Sequence, residues 1–76
     1  MVNEVHKEKI ERIGAKLKAL RLKAGYTSYE TFAVDHGFSR RNYWALEKGT
    51  NFKIESLLLL LDVHKLTLAE FFQDLE

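Results

Sequence analysis

Arg40, Arg41, Asn42, Trp44, Ala45 and Lys48 lie within nine consecutive residues, and their types suit contact with a partner. On a helix, Arg41, Trp44, Ala45 and Lys48 share one stripe, with Arg40 beside it and Tyr43 and Leu46 on the opposite side. Two cations at a helix start break a local rule, because the helix dipole already places partial positive charge there. A broken local rule often marks a functional site. DNA would supply the missing acceptors. An arginine fork fits O6 and N7 of guanine in the major groove, and a methyl such as that of Ala45 can contact thymine. Asn42 and Lys48 are candidates for phosphate contacts, which position a protein without reading sequence. Trp44 has two readings of equal weight, packing over the sugar-phosphate edge or covering a gap in the domain. Exposed arginine pairs are usually just solvated; the motif around this one favours the DNA reading.

Other chemistry finds little support. The chain has no cysteine, so no disulfide framework, redox site or Cys-based metal site is expected. His6, His36 and His64 sit in three separate segments without paired metal-ligand spacing. Ser28, Ser39 and Ser56 read as caps or helix residues rather than nucleophiles, and there is no Gly-rich phosphate loop. No catalytic residue, cofactor or metal is expected, and the chain does not read as an enzyme.

The elements that would position the stripe can be read in order. Apolar residues at Ile10, Ile13, Leu17, Leu20 and Ala24 alternate spacings of three and four, predicting a helix from Asn3 to about Ala24. Gly14 is a weak spot inside it, which close packing would explain. Gly25 ends it. A second helix runs from about Ser28 to Asp35, capped through Thr27 with Glu30 or through Ser28 with Thr31; the first is the better capping box, and the spacing does not choose between them. Gly37 breaks this helix, Phe38 follows as a buried turn residue, and Ser39 caps a third helix that stops at Gly49. Ala33 is the small residue needed where two helices cross so near a turn. The fourth helix spans Ile54 to about His64, with Leu57, Leu58, Leu60 and Leu61 as its core face. Thr67 and Glu70 form a capping box for a last helix carrying Leu68, Phe71, Phe72 and Leu75.

Phe32, Ala33, Gly37, Phe38, Tyr43 and Leu46 resemble the helix-turn-helix of the lambda-repressor-like (Cro/Xre-type) DNA-binding family. The resemblance covers about residues 13–72. It implies an all-α, five-helix domain whose second and third helices form the helix-turn-helix. The family's base-contact positions map onto Arg40, Arg41 and Ala45. Tyr29 stands where the family most often has Gln, and its hydroxyl could still reach a phosphate; otherwise it is a surface residue covering Phe32. Arg21 and Glu47 match a buried Arg–carboxylate pair that links the first and third helices. His36 and His64 match usually apolar positions, so both are expected as partly buried core residues with one ring nitrogen bonded. Lys65 replaces the usual C-terminal Gly, implying a strained or different cap, and Leu59 replaces a polar residue.

Size and charge agree with one small domain, residues 1–76, bound to a polyanion at one end. Residues 1–53 carry 11 Lys and Arg against 6 Asp and Glu, whereas residues 54–76 carry 1 against 5. A chance split of solvated charge would look the same. A chain this small without disulfides must close its core by packing alone, which favours helices. No apolar run approaches a membrane span, and the charged N-terminus lacks the apolar core of a signal peptide; the expected location is the cytoplasm. The expected partner is double-stranded DNA, bound by a homodimeric transcriptional regulator of the repressor type. The alternative is a protein-interaction module of the same fold, an antitoxin or accessory subunit, working through Phe71, Phe72, Leu59 and Trp44 on a protein partner.

Overall fold

The computed structural model describes residues 3–75; Met1, Val2 and Glu76 of the expected domain lie outside them. All the regular structure among the described residues is helical. The elements are α1 (Glu4–Lys23), α2 (Tyr29–Asp35), α3 (Arg40–Lys48), α4 (Ile54–His64) and α5 (Leu68–Phe72). Four of the five starts have a side-chain cap, whereas α4 follows Lys53 without one. The side chains of Asn3, Ser28, Ser39 and Thr67 accept backbone N–H groups of His6, Thr31, Asn42 and Glu70. Ser28, not Thr27, is thus the cap of α2. Thr67 and Glu70 complete the expected capping box, with Glu70 accepting the Thr67 N–H at 2.9 Å.

The first four helices end alike. After each, two consecutive N–H groups turn back onto the last carbonyls: Gly25 and Tyr26 onto Leu22 and Arg21, Gly37 and Phe38 onto Val34 and Ala33, Gly49 and Thr50 onto Leu46 and Ala45, Lys65 and Leu66 onto Asp62 and Leu61. This pair of bonds requires a left-handed residue, usually Gly. Lys65 fills that place after α4 with φ 58°, the one non-glycine at positive φ among the described residues. Of the two expectations for this cap, strained or different, the geometry is the usual one with a strained residue in it, at a cost of about 1–2 kcal/mol.

The core consists of Leu17, Phe32, Ala33, Tyr43, Leu46, Leu57, Leu60, Leu61 and Phe71. α3 packs against both α1 and α2. Gly14 lets α1 approach the backbone of α3: a β-carbon there would lie 2.6 Å from the Glu47 carbonyl oxygen and 2.7 Å from that of Leu46. Two sequence expectations need correction. Leu58 does not join the core face of α4 and is 40% exposed, because a run of five leucines has no periodicity to mark its buried side. Phe71 is fully buried, so it is unavailable as a working surface; its neighbour Phe72 is 41% exposed.

A long-range clasp joins α1 to the C-terminal segment. The Lys16 ammonium donates to the Phe71 carbonyl oxygen and to the Asp74 carboxylate, the latter at 2.6 Å, and lies over the Phe71 ring. That hydrogen bond and charge hold the exposed Asp74 carboxyl below its usual range.

The histidines meet expectation only in the partial burial of His64. His36 is exposed, although its ring rests on Phe32 with centroids 4.5 Å apart. His64 is half-buried and stacked on Phe32 at 5.5 Å, and its Nε2 is buried without a hydrogen bond. Neither ring nitrogen of either residue is bonded among the described residues. Burial, aided by the charge of His36, lowers the His64 pKa below its ordinary 6.5. The unfolded chain therefore takes up a proton that the folded chain refuses. Stability should fall as the pH drops below 6.5 and level off beneath the depressed folded value. His64→Leu should flatten that part of the profile, measured by thermal melts between pH 7.5 and 5.5; an unchanged slope would show that His64 is not its source.

Candidate nucleic-acid interface

α2 and α3 are separated by a four-residue turn, His36–Ser39, and their packing fixes how α3 is presented. Ala33 is fully buried, and the Phe32 and Tyr43 rings meet at 5.0 Å. Tyr43 and Leu46 bury one side of α3. The opposite stripe is left facing outward.

Arg21 sets the attitude of α3 against α1. Its Nε donates to Glu47 Oε2 at 2.7 Å and its Nη2 to Oε1 at 3.1 Å, a two-pronged pair. Its Nη1 donates to the Tyr26 carbonyl oxygen at 2.8 Å, which also ties down the loop before α2. Arg21 is only 4% exposed. The bond to Glu47 raises the guanidinium pKa further above its already high range, against the opposing effect of burial. Close by, the Tyr43 hydroxyl is buried without a hydrogen-bond partner, and burial together with the Glu47 carboxylate pushes its pKa well up.

The remaining candidates all occupy α3 or the start of α2. Arg40 and Arg41 are exposed and make no hydrogen bond or ion pair among the described residues. Asn42 is exposed, with its backbone N–H on Ser39 Oγ at 3.1 Å. Ala45 is half-buried, and its carbonyl accepts the Thr50 hydroxyl at 2.9 Å. Trp44 is 44% exposed, so it does not fill a gap in the domain; the Lys48 ammonium sits 5.4 Å from its ring centroid. Tyr29 opens α2, half-buried against the core.

No family model matches the chain, and no curated protein or solved structure is significantly similar to it. The geometry of α2 and α3 therefore carries the functional argument by itself. That geometry brings Arg40, Arg41, Asn42, Trp44, Ala45 and Lys48 onto one short helix and keeps Arg21 and Glu47 behind it as support. A groove of about 570 Å³ runs beside this helix, lined by Phe38, Asn42, Ala45, Phe52, Leu59 and Val63 among others. The sequence did not disclose this groove, because it depends on how α4 sits against the turn. Among the described residues, no helix is long and apolar enough to cross a membrane.

Proposed function

We propose that the chain is a lambda-repressor-like helix-turn-helix domain that binds double-stranded DNA sequence-specifically, with α3 in the major groove. One observation carries this reading: two exposed arginines without protein partners open the second helix of a tight helix–turn–helix, and that helix is anchored from behind by Tyr43, Leu46 and the Arg21–Glu47 pair. Guanidiniums at the positive end of a helix are stabilised by an anion, and their forks suit guanine edges. Arg40, Arg41 and Ala45 read bases; Tyr29, Asn42 and Lys48 hold the backbone, and Trp44 stands beside Lys48 on the same face.

A helix of nine residues spans too few base pairs to select one genomic site. The working form is accordingly a homodimeric cytoplasmic regulator of the repressor type, reading half-sites about 10 base pairs apart. Leu59, 51% exposed beside the groove, and Phe72 supply apolar surface for a self-contact. The same exposed residues favour the second reading, an antitoxin or accessory module that acts on a protein partner.

Selection of sites from a random DNA pool, followed by binding at two salt concentrations, separates the two. A DNA reader loses affinity steeply with salt, whereas a protein module binds negligibly at both concentrations. On the selected site, Arg41→Ala and, to a lesser degree, Arg40→Ala should cost about 1–3 kcal/mol and relax preference at one base pair while the fold persists. Wild-type affinity in both variants would reject the base-reading assignment.

A further inference from the structure

We propose that Trp44 is a positioning residue for Lys48, holding its ammonium ready for a phosphate of the DNA backbone. The proposal rests on the DNA-binding reading above. The two residues are four apart on α3 and so lie one above the other on its outer stripe. The Lys48 ammonium lies over the indole, 5.4 Å from its centroid. At that distance the negative face of the ring attracts the cation. No carboxylate among the described residues competes for Lys48. Trp44 meanwhile leaves 44% of its surface in solvent, although Tyr43 beside it is fully buried. An exposed indole adds little to the core, but it can restrict a flexible neighbour.

The restriction matters because a free lysine samples many rotamers and loses that freedom on meeting a phosphate. A contact that orders the side chain beforehand moves part of this loss into folding, so binding becomes tighter without any new contact to DNA. Lys48 can keep its ammonium on the indole and still donate to a phosphate oxygen, because it has three N–H donors. Trp44 then acts through Lys48, not on DNA directly.

A double-mutant cycle tests this with random-sequence duplex DNA across a range of salt. Lys48→Ala should weaken binding and lower the salt slope by about 1. Trp44→Leu should weaken binding about two- to fivefold, the effect of one exposed cation–π contact. Trp44→Phe should recover part of that loss. In the Lys48→Ala background, Trp44→Leu should have no further effect. In the free protein, the Lys48 ε-methylene protons should resonate upfield under the ring current of the indole and lose that shift in Trp44→Leu. Additive losses in the cycle would mean that Trp44 touches DNA independently, and would overturn this proposal while leaving DNA binding intact. An absent upfield shift would overturn it as well. A wild-type protein with no salt-dependent binding would overturn both this proposal and the reading beneath it.

Discussion

Arg21→Ala is expected to cost the domain about 3–5 kcal/mol, because it leaves the Glu47 carboxylate buried without its partner. The loss is large for a chain of 76 residues, whose total stability is on the order of 4–11 kcal/mol. Three bonds go at once: two to Glu47 and one to the Tyr26 carbonyl. The first two join α1 to α3, and the third holds the loop leading into α2. Lys23→Ala, at an exposed position of the same helix, is the control and should change stability little. Thermal melts of the two variants decide the matter, and equal melting temperatures would remove the pair from any account of the fold. The attitude of α3 should also loosen, so the DNA affinity proposed for it should fall further than the folded fraction alone requires.

Gly14→Ala should likewise destabilise, against the usual trend. In an open helix, alanine at a glycine position gains about 1 kcal/mol. Here the new methyl would meet the Glu47 and Leu46 carbonyl oxygens at 2.6 and 2.7 Å. Both obstacles are backbone, so no side chain can swing aside; α1 must move off α3. Overpacking of this kind costs about 1–3 kcal/mol, enough to exceed the gain in propensity. Gly14, Leu17 and Arg21 share one buried face of α1, so a shift that relieves Gly14 also stretches the Arg21–Glu47 pair. The two substitutions should therefore combine non-additively in urea titrations. A gain in stability for Gly14→Ala would mean that α1 can separate freely from α3.

These two residues show what the sequence discloses and what it withholds. Gly14 is conspicuous inside an otherwise strong helix, and the pairing of Arg21 with Glu47 follows from family resemblance; both contacts are present. The caps at Ser39 and Thr67 and the glycine turns are local chemistry and are equally legible. The cap of α2 was ambiguous because Thr27 and Ser28 offer the same kind of oxygen one residue apart. The buried side of α4 was misread at Leu58, where every neighbour is leucine. The partial burial of His64 agrees with the sequence, but its unbonded Nε2 does not, because the ring stacks on Phe32 two elements away; His36 lies one turn from Phe32 on the exposed end of α2. The outward stripe of α3 was readable in full, since a helix with Tyr43 and Leu46 inside can put Arg41, Trp44, Ala45 and Lys48 only outside. The groove beside it and the Lys16 clasp arise between segments distant in the chain and have no local signature.

The clasp has a consequence for how the molecule opens. α5 is five residues long, too short to persist as an isolated helix. It survives on the buried Phe71 and on one lysine reaching across 55 to 58 positions of chain. Such a contact closes late in folding, after the local helices have formed. α5 should therefore lift away as a unit well below the energy of global unfolding, and its amides should exchange with solvent sooner than those of α1 and α3. Each such opening removes Phe71 from the core cluster that it shares with Leu17, Leu57 and Leu60, while α2 and α3 stay packed together.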